Sequence, residues 1–450
     1  MTAEVVVMNR LGIALASDSA ATVRSNGKAK FFHADKLFML SSFHPVGVMV
    51  YNNSSLLGVP WEVIFKMYRA KLGHKSFPHL QDYATDLIAF LTNNQQLFPL
   101  DVQEHYYKHL IRTFFTGIAN GITKRFKALI DNGDGITQED LEYIPTEVVK
   151  DALKEWQAKD DATCFKKDVA ADLKSKQSGF ISGLTMSVFE GLKPAVLHKL
   201  TPDLYELAKL VVQKDKIVTE SLTGLVIAGY GEVQHFPVMQ QYEFGEIFEG
   251  ELKHKLLETW QISKDVTSVI KPFAQSSMAQ TFLEGISPKV ELQVARALAK
   301  AYVQTPEAII DGFPGVSKAR KEAYKAQLRA VSANAAKDAI KEFSGFKGRN
   351  HRIPILQSVV HLPKKELAHV AASLVTLSSF QKRMTTGEDE TVGGPIDVAV
   401  ISKGDGFVWI DRKHYFQPEF NEHFFRNRPT KSAKGEPIDK KGNEDESNAG

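Results

Sequence analysis

Apolar and β-branched residues run almost unbroken through Ala3–Met8 and again through Leu11–Ala16, with Asn9-Arg10 between them. Two short runs parted by a turn-forming pair predict two strands joined by a tight turn. Lys36–Leu40 and Val46–Tyr51 read as two more strands, separated by the turn-like Ser41-Ser42-Phe43-His44-Pro45. The period changes at Pro60. Trp61, Ile64, Phe65, Tyr68 and Leu72 recur at spacings of three and four, the stripe of a helix. Pro60 fits its first turn and Gly73 the position just past its end. Leu80–Leu97 predicts a second helix.

From Asp101 to Asp215 the helical period dominates. Tyr106, Tyr107, Leu110, Ile111, Phe114, Phe115 and Ile118 form a wide apolar face, continued by Ile122, Phe126, Leu129 and Ile130. Strand patterns return at Gly224–Ala228, Val238–Phe244 and Val266–Ile270, and Gln275–Glu284 then reads as helix. Glu291–Phe346 is rich in Ala and Lys and predicts solvent-facing helices. Leu367, Val370, Ala371, Leu374 and Val375 mark a helix after Pro363. Ile396–Ser402 and Phe407–Ile410 flank Lys403-Gly404-Asp405-Gly406, and an Asp-Gly between apolar runs is a hairpin signal. Hairpins separated by blocks of helix predict an α+β fold with antiparallel sheets. The tail from Arg428 to Gly450 has no aromatic residue and one large aliphatic, Ile438, a composition that predicts disorder.

Composition narrows the function classes. Of 450 residues, 43% are hydrophobic and 24% charged, ordinary for a globular protein. Lys and Arg number 56 against 53 Asp and Glu, a formal net charge of +3. That balance argues against a nucleic-acid binder or a protein held to an acidic membrane surface. The single cysteine, Cys164, makes neither an intramolecular disulfide nor a cysteine zinc site. With no basic and apolar leader pattern at the start and no apolar run approaching a membrane span, a cytoplasmic protein is expected.

Most motif-like features are poor carriers of chemistry. Asp131-Asn132-Gly133-Asp134-Gly135 misses the calcium-loop register, because alignment on Gly135 puts Ile130 and Leu141 at ligand positions. Thr137-Gln138-Glu139-Asp140 after it reads as a capping-box helix start. His105 and His109 are four apart on a predicted helix, but no Glu follows His105. Thr2 is the informative position. Excision of Met1 before this small residue is expected, leaving an α-amine beside its own hydroxyl. Such an amine titrates near about 7.7–8.0, so at neutral pH it can accept and return the hydroxyl proton.

The stretch from Thr2 to the first helix resembles the opening of proteasome β subunits and their bacterial relatives among the N-terminal nucleophile (Ntn) hydrolases. Asp18 lies sixteen residues after Thr2, in Ser17-Asp18-Ser19-Ala20-Ala21-Thr22, as the aspartate of the family's "A-D-x-x-x-T" turn does. Lys36-Leu37-Phe38 is similar to "K-[IL]-F" at the start of the next strand. Gly224-Leu225-Val226-Ile227-Ala228-Gly229-Tyr230-Gly231-Glu232 resembles the strand "LLAGxDE". Phe273-Ala274-Gln275-Ser276-Ser277-Met278 sits where the family has "A-x-G-S-G" before a helix. Asp389-Glu390-Thr391-Val392-Gly393-Gly394-Pro395-Ile396-Asp397 is similar to "D-x-x-S-G-G-x-[IV]-[DN]". Three departures stand out: Asn52 where a glycine is usual, Val392 where the family has a serine, and size, since the family's catalytic domain is about half this chain.

The resemblance implies a four-layer αββα sandwich. It covers residues 2–416 as one domain with core segments 2–99, 216–289 and 361–416. Helical insertions at 100–215 and 290–360 interrupt it, and a charged tail follows at 417–450. It implies Thr2 as nucleophile, Lys36 as the cation that stabilises it, and Asp18 as the carboxylate that keeps the lysine charged. Ser276 and Asp389 would be hydrogen-bonding members of the network, and the backbone at Asn52 the oxyanion donor. The implied activity is hydrolysis of a peptide or other amide substrate, by a homo-oligomer, with no cofactor or metal. No unfoldase-docking motif is recognisable. A small-molecule amidase of the same superfamily, and a non-catalytic scaffold that keeps the fold for assembly, are the alternative readings.

Overall fold

The apolar runs at the start of the chain become, in the computed structural model, an antiparallel hairpin of β1 (Ala3–Asn9) and β2 (Gly12–Asp18), both buried throughout. The structure describes residues 3–25, 28–133, 135–218, 222–274, 277–384, 394–414 and 416–421. The chain forms two units, Met1–Asp411 and Arg412–Gly450. In the second, the described part holds a short 3-10 turn, Pro418–Phe420, followed by Asn421, whose Nδ2 donates to the Gln417 carbonyl at 3.0 Å. The sheets, the helical layers and the candidate site all belong to the first unit.

A second hairpin, β3 (Ala20–Ser25) and β4 (Lys28–His33), forms a sheet of its own. Then come β5 (Leu37–Met39), β6 (Val46–Asn52), the two-residue strands β7 (Ser55–Leu56) and β8 (Val59–Pro60), α1 (Trp61–Leu72) and α2 (Leu80–Thr92). Pro60 stands at the N-cap of α1, one residue before its first turn, and Gly73 ends the helix at φ 52°, a conformation that glycine takes without cost. Five helices come next: α3 (Leu100–Asp131), α4 (Asp140–Gln157), α5 (Val169–Lys176), α6 (Ser178–Val188) and α7 (Pro194–Gln213). Strands resume with β9 (Thr223–Gly229), β10 (Val238–Phe248), β11 (Glu251–Gln261) and β12 (Ser268–Ala274). The remaining helices are α8 (Ser277–Glu284), α9 (Pro288–Ala299), α10 (Thr305–Gly312), α11 (Lys318–Lys347), α12 (Ile353–Val360) and α13 (Lys364–Met384). The hairpin β13 (Ile396–Ser402) and β14 (Gly406–Asp411) closes the unit.

The fold is mixed α+β with antiparallel sheets. One sheet runs β12-β1-β2-β13-β14 and the other β11-β10-β9-β6-β5. Alternation decides what each strand buries. Val6 and Met8 of β1, with Ile13 and Leu15 of β2, pack against Met49, Tyr51, Val226 and Ala228 of the other sheet. Ala3, Val5, Val7, Ala14 and Ala16 point the other way, onto α8, α12 and α13 through Leu283, Val359, Leu367, Ala371 and Leu374. The opposite faces of β6 and β9, through Val48, Val50, Leu225 and Ile227, meet Ile64, Phe65 and Tyr68 of α1 and Leu80, Tyr83 and Leu87 of α2.

Helices α3 to α7 have a core of their own, in which Ile111, Phe115, Val149, Trp156, Leu204 and Leu207 surround one another and Phe248 of β10 joins them. In the turn that leads into α4, Thr137 and Asp140 exchange the reciprocal bonds of a capping box, Thr137 N–H to Asp140 Oδ2 at 2.8 Å and Asp140 N–H to Thr137 Oγ1 at 3.2 Å, although the N-cap residue itself is Glu139. By contrast α9 buries none of its residues, and the 30-residue α11 buries only Lys325, Ser332, Ala336 and Lys347. Both lysines are held by carboxylates, Lys325 by Asp311 and Glu322, Lys347 by Glu284 and Glu291.

Two readings of the sequence need correction. Glu4–Ala16 reads locally as an edge hairpin, but β1 lies inside its sheet, between β12 and β2, because β12, remote along the chain, pairs with its free side. The edges of this sheet are β12 and β14, and β14 carries Trp409. The strand pattern also missed β11 (its polar positions Lys255, Glu258 and Thr259 belong to a sheet edge in water) and the hairpin of β3 and β4. Among the described residues, no helix is long and apolar enough to cross a membrane.

Candidate active site

Three chain segments meet at the open end of the β1–β2 hairpin. Asp18 ends β2, Lys36 precedes β5, and Ala3 begins β1. Lys36 Nζ lies 2.8 Å from Asp18 Oδ1, with the two side chains 9% and 0% exposed. The same ammonium donates to the Ala20 carbonyl at 2.5 Å. Asp18 Oδ1 also accepts the Ala3 N–H at 3.1 Å. That nitrogen belongs to the peptide bond joining residue 2 to residue 3, so one carboxylate ties the start of the chain to the lysine. A charge-assisted pair at this depth is strong when its members have further hydrogen bonds, and breaking one side leaves a buried charge.

Glu4 lies beside this pair. It is 1% exposed and has the parity of Val6 and Met8, hence faces the other sheet. Its Oε1 is 3.4 Å from the Ser17 hydroxyl, on the residue directly opposite it in β2. Its Oε2 is buried with no hydrogen-bond partner among the described residues. Burial holds the Glu4 carboxyl well above the usual carboxylate range; the Lys36 charge opposes that shift, and Asp18 adds to it.

Tyr51 flanks the group from β6. Its ring stacks on Phe273 of β12 at 5.9 Å, and its hydroxyl accepts from Gln241 Nε2 at 2.6 Å. Burial first, and the nearby Glu4 charge in part, push its phenol up to about 12. The ring fits because its cross-strand partner is Gly224: a Cβ there would lie 1.9 Å from the ring. Asp397 of β13, 3% exposed, sits opposite Ser17 on the other side of β2.

The backbone around the site is unusual. Of the four non-glycine residues with positive φ among those described, two are here: Asn52 at 68°, ending β6, and Ala274 at 54°, ending β12 directly opposite Ala3. Asn tolerates the left-handed region better than most residues, whereas Ala there carries roughly 1–2 kcal/mol of strain. Strain of this kind persists where the surroundings over-determine it, and functional sites are where it collects. Asn52 thus adopts the conformation that glycine favours.

Of the residues singled out in the sequence, Asp18 and Lys36 are in contact and Asn52 ends the neighbouring strand. Thr2, Ser276 and Asp389 lie outside the described residues, although Ala3 and Ala274, next to Thr2 and near Ser276 in sequence, are paired across β1 and β12. Sequence reasoning missed Glu4, Ser17 and Tyr51. Glu4 carried a usable signal, as the one charged residue in a strand apolar from Val5 to Met8, at an inward parity. No family model matches the chain, and no curated protein matches it.

Proposed function

We propose that the chain is an N-terminal-threonine hydrolase of the proteasome-like Ntn class, cleaving amide and foremost peptide bonds through an acyl-enzyme on Thr2 Oγ. The observation that carries this reading is the buried Lys36–Asp18 pair whose carboxylate also holds the Ala3 N–H. It ties a fixed ammonium to the residue after the nucleophile. The two sheets, with helices packed on the outer face of each, support an αββα sandwich interrupted by the helical segments 100–215 and 290–360.

The chemistry requires Thr2 with a free α-amine. The amine, through a water, takes the proton from Oγ while the Lys36 ammonium stabilises the oxygen that attacks. Asp18 keeps the lysine charged and aimed. Oγ adds to the substrate carbonyl carbon, and backbone donors at Asn52 receive the oxyanion. Collapse breaks the C–N bond, and the departing amine leaves with the proton held by the α-amine. Water, deprotonated by the same amine, then releases the acyl group as a carboxylic acid and restores Oγ–H.

Labelling with a β-lactone or epoxyketone probe, followed by intact mass measurement, tests the reading. The expected result is one adduct on protein lacking Met1, lost in Thr2→Ala and slowed about 100-fold or more in Lys36→Met. A retained Met1, or labelling that survives Thr2→Ala, overturns it.

A further inference from the structure

Two carboxyl groups and one ammonium share the buried space at the end of β1. Lys36 is already balanced by Asp18, and its Nζ also donates to the Ala20 carbonyl. A second ionised carboxylate there would leave one net negative charge out of water, at a cost several times that of a neutral group. The hydrogen bonds agree. Ser17 has one hydroxyl proton, and its shorter contact is to the Asp18 carbonyl at 3.1 Å, against 3.4 Å to Glu4 Oε1. Glu4 Oε2 has no donor facing it among the described residues. An ionised carboxylate leaves a charged acceptor undonated at Oε2, whereas the acid with its proton on Oε1, beside the Ser17 hydroxyl, leaves only a neutral carbonyl there.

We propose that Glu4 is a positioning residue of this site, a carboxyl kept in its neutral acid form beside the Lys36–Asp18 pair so that the lysine's charge stays committed to Asp18 and residue 2. The proposal rests on the hydrolase reading. Ionised Glu4 would compete with Asp18 for the ammonium. It would also raise the basicity of a nearby α-amine, leaving more of it protonated and unable to act as base. The charged and titratable groups around Glu4 are Asp18 of β2, Lys36 before β5, Tyr51 of β6, any free amine at residue 2 and, one strand beyond Ser17 in the same row, the buried Asp397 of β13; Ser17 of β2 and Phe273 of β12 are its uncharged neighbours.

Activity needs the acid form, so the rate falls as pH rises through the Glu4 pKa, which burial has moved upward. Glu4→Gln is permanently neutral and nearly isosteric. The test compares wild-type protein and Glu4→Gln in two measurements. Infrared spectroscopy at neutral pH reads the carbonyl stretch of protonated carboxyls; a band present in the wild type and missing from Glu4→Gln is expected, and its absence from the wild type overturns the proposal whatever the protein does. The rate of β-lactone labelling against pH is the second. Its alkaline limb is expected about one pH unit or more higher in Glu4→Gln. Coincident profiles in two labelled proteins reduce Glu4 to a structural role and overturn the proposal. No labelling of the wild type refutes the hydrolase reading, and this role with it, and the infrared band separates that failure from the other. Glu4→Met, also unable to ionise, replaces Glu4→Gln should glutamine prevent folding.

Discussion

Asn52 is the residue where expectation and backbone geometry had most to reconcile. A glycine is usual at that place in the family the chain resembles, and an asparagine there reads as a departure. The backbone at φ 68° removes the objection, because Asn is the side chain that bears left-handed geometry with least cost. Asn52→Gly should therefore unfold in urea at a midpoint close to wild type and retain probe labelling. Asn52→Val, β-branched and ill-suited to positive φ, should lose about 1–2 kcal/mol in the same titration. Equal stability of the two variants would show that the conformation is not what selects the residue.

Among the elements, the strands and the helices were legible to different degrees. The stripes of α1, α2 and α13 were plain, since a helix that packs on one face writes its burial at spacings of three and four. The apolar face of α3 was plain too, and it meets α4 to α7 in a separate core. Leu204, fully buried on α7, is the place to test that core: Leu204→Ala should cost about 2–5 kcal/mol by urea denaturation. Should that loss appear as a distinct early transition, the helical block unfolds as its own cooperative unit; one shifted transition would join it to the sheets. The edge strand β11 was not legible, because an edge alternates polar residues outward and breaks the apolar run that marks an interior strand. The position of β1 inside its sheet was not legible either. Its partner β12 lies at Ser268–Ala274, far along the chain, and nothing local records which strands will meet.

At the scale of the whole molecule, a net charge of +3 over 450 residues gives no strong bulk field of either sign. The outer helices leave apolar side chains in water. Phe282 on α8 and Leu377, Phe380 and Met384 on α13, which packs against it, are 38–68% exposed. We propose that a homo-oligomer covers this face. Light scattering is expected to return a multiple of the 50.1 kDa chain mass; a monomer at micromolar concentration would refute assembly.

By itself the sequence determined the α+β class and most of the elements in order, and it singled out Thr2, Asp18 and Lys36 as a constellation. Periodicity reports which faces are apolar, and spacing reports which residues lie near the same turn. Only the tertiary structure decided that Asp18 holds both Lys36 and the Ala3 amide, that Ala274 is strained opposite Ala3, and that Glu4 is buried among them. The charge state of Glu4 depends on desolvation and on charges contributed by segments that are remote along the chain. Those quantities have no counterpart in a local pattern, because they exist only once the segments have met.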